Sequence, residues 1–395
     1  MNGIKRSLIE GKVLKNVILN VDYYTSVAAR NVIYRDNEIQ KNKIFFMTYD
    51  RNYTCNLKYI AEELIRQNLD VDLVWVVSPK MKTNNGMFPE NIRLVKYGSA
   101  EMFEEMATAK VWFDNALNCV WQLMPKKKDQ IYINTWHGSL GIKKLSGNAR
   151  WLRRAARCKK VTDYCITNST FEEDVFRTTF WPTNEFLKFG HARNDILMDE
   201  EKRQAARQKV LKHYELDPDV KIALYAPTFR DNGSTKFMNL SYEVLKKSLE
   251  KRFGGNWVIL VRAHNKNRAG SSVEDEEYLV NANEYPDMQE LMAATDAGVT
   301  DYSSWAFDYI LTGRPLFLYA PDIADYAGGR GFYYPIETTP FPIAEDNEQI
   351  AEKIENFDDE KYQKDVRIFL KSKGCYEHGT AAKETVEFLK KVMDL

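Results

Sequence analysis

Residues 296–315 read DAGVTDYSSWAFDYILTGRP, and this stretch decides the fold. A short apolar run ends at Val299 and meets the polar turn Thr300, Asp301, Tyr302, Ser303 and Ser304. A helical pattern follows through Trp305, Phe307, Asp308, Tyr309 and Leu311, with no Gly or Pro until Gly313, where a helix should stop. Strand, turn and helix in that order predict one βα unit, with hydroxyls clustered where the first helical amides lack partners. Such a corner can bind an anion, because free N–H groups and the helix dipole both point at it. It can equally be an N-cap serving its own helix. Two serines and a threonine exceed what one cap uses, so anion binding stays open.

Outward from this unit the same alternation repeats. Strands are expected at Lys43–Tyr49, Asp72–Val77, Ile92–Val95, Val111–Phe113, Gln130–Asn134, Tyr164–Thr167 and Phe186–Phe189. Helices between them are expected at Asn56–Gln67, Ser99–Ala109 and Phe171–Thr179. A helix at Glu200–Tyr214 precedes a second series, with strands at Lys221–Tyr225, Trp257–Val261, Ala297–Val299 and Leu316–Tyr319. Its helices are Tyr242–Arg252, Met288–Ala294 and Tyr302–Leu311, and three more end the chain at Gln349–Phe357, Lys361–Lys371 and Ala381–Val392. Alternation of this kind predicts an α/β protein of two doubly wound parallel sheets that join near residues 192–205, with ligands in the cleft beyond the strands' carboxyl ends. The division read here is a helical lead-in over 1–42, domains over 43–195 and 196–375, and a terminal helix over 376–395. In the lead-in, Ser7–Asn20 could place Leu8, Val13, Leu14, Val17 and Ile18 on one face. That face suits either an anionic bilayer or the helix's own domain.

Charge narrows the function. The 56 basic and 56 acidic residues cancel, which argues against a surface that binds polyanions all over, and no nucleic-acid partner is expected. The cations are nevertheless grouped: Lys143, Lys144, Arg150, Arg153, Arg154 and Arg157 lie in a stretch without an acid, interrupted by Trp151 and Leu152. This stretch reads as a contact for an anionic acceptor or membrane surface, or as a solvated helix face. The five cysteines form no CxxC pair and no Cys/His cluster has zinc spacing, so reduced thiols and no metal site are expected. No run approaches the roughly 18 apolar residues of a membrane span, and the N-terminus lacks the apolar core of a signal peptide. Membrane association would then be peripheral.

Two of the five histidines follow strands directly. His137 comes after Gln130–Asn134 and His264 after Trp257–Val261. A histidine at the carboxyl edge of a parallel strand is placed for proton transfer or anion contact, although a single one is more often structural. Arg230, in APTFRD after another strand, could clamp a phosphate or pair with Asp231 or Asp301.

Several segments together resemble the CDP-glycerol glycerophosphotransferase family, whose members prime or polymerise teichoic acids and related capsule polymers. They are YTCNLKYIAEEL at 53–64, TWHGSLGIKKL at 135–145, GHARND at 190–195, YAPTFRDN at 225–232, RAH at 262–264, DMQEL at 287–291, the stretch 300–315, and RGFY at 330–333. The chain departs from the family pattern at His191-Ala192, where a Tyr-Pro pair is usual, and at Asn265, where a Pro is usual. The resemblance implies a GT-B-like fold of two Rossmann-like domains with the nucleotide on the C-terminal one. It implies His137 as base and His264 at the donor diphosphate, with Thr228, Arg230, Arg262, Thr300, Asp301, Ser303 and Ser304 around the donor. The implied reaction moves glycerol phosphate from CDP-glycerol to a hydroxyl of a lipid-linked teichoic acid or capsule acceptor, releasing CMP, at the cytoplasmic face of the membrane. No cofactor is implied, and homo-oligomerisation is left open. CDP-ribitol or a nucleotide sugar as donor, and a non-catalytic polyanion-binding scaffold, are the competing expectations.

Overall fold

The computed structural model describes residues 21, 24–81, 86–139, 141, 143–145, 149–181, 185–228, 239–262, 276–323 and 331–395. His264, Asn265, Arg230, Arg330 and the 7–20 stretch lie outside the described residues.

The first sheet has seven parallel strands: β1 (Gln40–Met47), β2 (Asp72–Val77), β3 (Ile92–Lys96), β4 (Ala109–Asp114), β5 (Ile131–Asn134), β6 (Tyr164–Ile166) and β7 (Glu185–Leu187). Their order is β3-β2-β1-β4-β5-β6-β7, so the direction of winding reverses between β1 and β4. Continuous apolar strands are what a sheet covered on both faces requires. In β1, Ile44 and Phe46 enter one core while Phe45 and Met47 enter the other. The first face is covered by α1 (Cys55–Arg66), and the second by α2 (Ala100–Thr108), α4 (Ala149–Val161) and α5 (Thr170–Thr179); a single turn, α3 (Asn118–Trp121), lies between α2 and α4.

After α6 (Asp195–Met198) and α7 (Glu200–His213) the second sheet begins. Its strands are β8 (Lys221–Tyr225), β9 (Trp257–Val261), β10 (Leu279–Asn281), β11 (Ala297–Thr300), β12 (Leu316–Tyr319) and β13 (Ile343–Ala344), all parallel, in the order β10-β9-β8-β11-β12-β13. Around it pack α7, α8 (Tyr242–Phe253), α9 (Met288–Ala294), α10 (Trp305–Tyr309), α11 (Asn347–Glu355) and α12 (Asp359–Ser372), sharing one core that runs from Ile196 to Phe369. The doubly wound α/β reading holds. The sequence reading did not place the edge strands β10 and β13, which are only three and two residues long.

The expected helix over 302–311 is shorter. Only Trp305–Tyr309 is α-helical, and a 3₁₀ turn carries the chain to Gly313, whose φ of 70° ends it. Trp305 pins this start: its Nε1 donates to the Ala226 carbonyl at 2.9 Å, and its ring packs so close to Gly298 that a Cβ there would sit 3.1 Å from it.

The chain then returns to the first domain. Beyond α12, Gly374 at φ 58° lets 373–376 pair with 168–171, and a Cβ on it would lie 2.1 Å from Thr170 Oγ1. Helix α13 (Ala381–Met393) buries Ala381, Ala382, Val386, Leu389 and Met393 against α1 in the first core. Two carboxylates secure the return. Asp195 accepts from the N–H groups of Ala381 and Ala382 at 3.0 and 2.8 Å, and Glu377 accepts from the His191 N–H and from Asn194 Nδ2.

Burial pushes Asp195 up to about 6 and Glu377 up to about 7, outweighing the N–H groups that favour their ionised forms. A Glu pKa raised from 4.5 means that the unfolded chain ionises first. Stability should therefore fall as pH rises from about 4.5 to 7 and level off above. Glu377 accounts for up to roughly 3 kcal/mol of that fall. Urea unfolding across this range is expected to lose about half of its pH slope in Glu377→Gln, Asp195 supplying the rest, and an undiminished slope would contradict the assignment.

Candidate functional site

Strand ends of both sheets face one cleft. From the first sheet come Tyr49 beyond β1 and His137 beyond β5, with Asn115 beyond β4 buried behind them; from the second come Thr228 beyond β8, Arg262 beyond β9, and Ser303 and Ser304 beyond β11. Two cavities open there, of about 460 and 610 Å³, and Tyr49, His137, Thr228, Ser303 and Ser304 line both. The larger extends over Arg262, Asn283 and Tyr285; the smaller runs beneath Phe171, Val175 and Phe176 to Lys143 and Tyr333.

His137 is fixed in orientation and tautomer. Its Nδ1 lies 2.5 Å from the Asn115 carbonyl oxygen, which can only accept, so the proton sits on Nδ1 and the neutral ring keeps a bare lone pair on Nε2. Tyr49 and Trp136 stack on the ring at centroid distances of 5.0 and 4.6 Å. The residue is exposed to the cleft, yet partial desolvation by the protein packed against the imidazole lowers its pKa below the usual 6.5; the Asn115 hydrogen bond opposes this, and the Arg193 cation adds to it. The ring is thus neutral at physiological pH, the state a base requires.

The backbone carrying His137 is held by buried polar groups. Trp136 adopts φ 51°, an unfavourable conformation for a bulky residue. Asn56, 1% exposed, donates from Nδ2 to the carbonyls of Thr135 and Trp136 at 3.1 and 3.2 Å, and the same amide lies 3.1 Å from His191 Nδ1. His191 in turn donates from Nε2 to Glu172 at 3.0 Å. Arg193 donates from Nη2 to the Gly138 carbonyl at 2.6 Å.

Facing His137, Ser303 and Ser304 are half-buried, and among the described residues their hydroxyls have no hydrogen-bond partner. The five-residue α10 offers little helix dipole, so these hydroxyls and nearby cations are what the corner presents to an anion. Thr300 and Asp301, expected at the donor, instead lie behind the cleft at 0% and 1% exposure. Thr300 Oγ1 donates to the Ala226 carbonyl, and Asp301 accepts from both the N–H and the Oγ1 of Thr228, at 3.0 and 2.5 Å. Both hold the β8 turn in place. Arg262 lines the larger cavity and donates to the carbonyls of Ala282 and Tyr285.

The basic stretch divides. Lys143 lines the smaller cavity and bridges to Phe332, while the Lys144 N–H donates to the Gly331 carbonyl, so this turn is clasped by the second domain. Arg153, Arg154 and Arg157 lie on α4, with Arg154 over the Trp121 ring at 3.5 Å. Arg150 belongs to the same helix, its side chain outside the described residues.

A two-domain α/β architecture with an imidazole on one wall of the cleft and serine hydroxyls on the other is that of a group-transferring enzyme of the GT-B type. The family model of CDP-glycerol:poly(glycerophosphate) glycerophosphotransferases matches residues 29–391, and the chain belongs to that family. A teichoic acid poly(glycerol phosphate) polymerase of Bacillus spizizenii is 30% identical over 371 residues, covering 88% of this chain and 91% of its own. One of Staphylococcus epidermidis is 29% identical over 367 residues; there the match covers 88% of this chain but only 50% of the relative. Ribitol-phosphate polymerases also occur among the relatives. The solved structure of the wall teichoic acid polymerase TagF superposes with a TM-score of 0.79 at 26% identity, covering 100% of this chain and 98% of that one.

Reading the sequence did not single out Asn56, Asn115 and Arg193. Asn56 and Arg193 lie in the quoted YTCNLKYIAEEL and GHARND segments, which was the available signal. Replacing Asn56 with Ala orphans the Thr135 carbonyl and the N–H of Arg193, and leaves the Trp136 carbonyl with only the Thr135 hydroxyl. Urea unfolding is expected to register a loss of about 2–3 kcal/mol; a change below about 0.5 kcal/mol would mean that solvent replaces the amide.

Proposed function

We propose that this chain transfers glycerol phosphate from CDP-glycerol to a hydroxyl of a teichoic acid-type polymer acceptor, releasing CMP. The observation that carries this is the His137 ring, its Nδ1 proton committed to a carbonyl and its bare Nε2 in a cleft shared with the hydroxyls of Ser303 and Ser304, unpartnered among the described residues.

In this reading the acceptor hydroxyl gives its proton to His137 Nε2 as its oxygen attacks the glycerol-bearing phosphorus. The bond from that phosphorus to the bridging oxygen breaks, and CMP leaves with the electron pair. General-base help of this kind is worth roughly 10²- to 10⁴-fold. Ser303, Ser304 and Arg262 stand where the growing negative charge on CMP would lie, with Arg230 and His264 assigned there on the family motif alone. Thr228 contributes wall, and Thr300 and Asp301 keep that wall rigid. The larger cavity suits the nucleotide, and the smaller, with Lys143 at its far side, suits the acceptor.

The acceptor's lipid would lie at the cytoplasmic face of the membrane, with the chain bound peripherally. Exposed Leu152 among the α4 cations supports a surface of that kind, each cation near an anionic bilayer contributing about 1 kcal/mol. Among the described residues no helix is long and apolar enough to cross a membrane.

Purified protein incubated with CDP-glycerol, CDP-ribitol and a nucleotide sugar, together with acceptor, should release CMP fastest from CDP-glycerol; silence towards every donor would favour a binding scaffold. His137→Ala should slow release by about 10²- to 10⁴-fold while donor binding, followed by calorimetry, persists. Because partial desolvation and the Arg193 cation lower the His137 pKa, the acid limb of kcat against pH should fall below 6.5, with a plateau through neutrality. A limb above 7 would point to another base.

A further inference from the structure

Transfer needs His137 from the first domain and the serines from the second to meet in one geometry, and Arg193 touches both sides. Its Nη2 holds the Gly138 carbonyl, adjacent to His137, at 2.6 Å, while its Nε donates to Asp308 Oδ2 at 3.1 Å. Asp308 lies on α10, four residues after Ser304, and its Oδ1 also accepts from Asn194 Nδ2 at 3.1 Å. Arg193 is 2% exposed and Asp308 3%. The Arg193 backbone N–H donates to Asn56 Oδ1 at 3.2 Å, so the side chain springs from the same network that holds Thr135 and Trp136. A guanidinium is a planar fork of fixed geometry, and acceptors bound to its different nitrogens are held in one mutual orientation. A buried ion pair is poor evidence for stability, since desolvation offsets the attraction; fixing a register between elements is its better-attested use.

We propose that Arg193 is a positioning residue for the transfer reaction: paired with Asp308, it fixes the Gly138 end of the base-bearing turn against the Ser303–Asp308 segment, and so sets the approach of His137 Nε2 to the donor. This rests on the transferase reading. Arg193 itself exchanges no proton and forms no bond.

Arg193→Lys keeps the charge, but one ammonium cannot span both acceptors in the geometry of the fork. Its kcat for CMP release is expected to fall about 100-fold, as for a base misplaced by about 1 Å, with the CDP-glycerol dissociation constant and the Tm close to wild type. Asp308→Asn should show the same fall in kcat with donor affinity kept, but a lower Tm because it leaves the buried Arg193 cation unpaired, and the double variant should be no slower than the slower single one, because the two act as a unit. A wild-type kcat in Arg193→Lys, or losses that multiply in the double variant, would overturn the proposal. So would parallel loss of turnover, donor affinity and Tm in both single variants, which is the signature of a purely structural pair. A second readout does not depend on turnover. Arg193→Gln removes a cation that depresses the imidazole, so the NMR titration of the His137 ring should move to higher pH. An unmoved titration would overturn the positioning role even if the wild-type protein released no CMP, a result that would by itself sink only the transferase reading.

Discussion

A carbonyl oxygen has no proton to give, and the chemistry of this cleft depends on that. Because the Asn115 carbonyl lies against His137 Nδ1, the imidazole can satisfy it only by keeping its proton there, which leaves Nε2 bare on the open side. The strand order makes the contact available. β4 and β5 are adjacent and parallel, so the residue just past β4 lies beside the turn that leaves β5. Reverse the tautomer and two lone pairs would face each other. The imidazole is thus oriented by main-chain geometry rather than by the carboxylate partner found in many hydrolytic sites.

Two charged clusters fasten the lobes on either side of this arrangement. Arg193 reaches Asp308 from the first domain, and Lys58 on α1 reaches Asp287, which caps α9 in the second, with Tyr59 Oη adding a bond to the same carboxylate at 3.1 Å. Both clusters exclude most water, so a bond missing from either would leave a charge stranded where solvation is poor. Apolar contact alone would tolerate sliding between the lobes; directional charged bonds do not.

The alternation of apolar runs with helical patterns made the two sheets legible, because strands buried on both faces must be apolar throughout, as 44-IFFM-47 and 73-LVWVV-77 are. β10 and β13 escaped because two or three residues at a sheet edge carry no period. His137 was legible as a histidine directly after a strand. Thr300 and Asp301 show the limit of such a reading: a hydroxyl and a carboxylate at a strand end look alike in sequence whether they face a ligand or, as here, bond the neighbouring turn. Asn56 and Arg193 act on main-chain carbonyls about 80 and 55 residues away, and nothing in a carbonyl's sequence marks it as a target.

The path of α13 has a consequence for biogenesis. The α1 face of the first sheet stays incomplete until residues 381–393 have been synthesised, because Val386, Leu389 and Met393 complete that core. Lobes of multidomain proteins ordinarily mature in the order of translation. Here the earlier lobe must wait for the later one, its greasy flank open for the time the ribosome takes to add some two hundred further residues. Holdase chaperones would find their substrate in that interval, and the nascent chain would be most prone to clumping then.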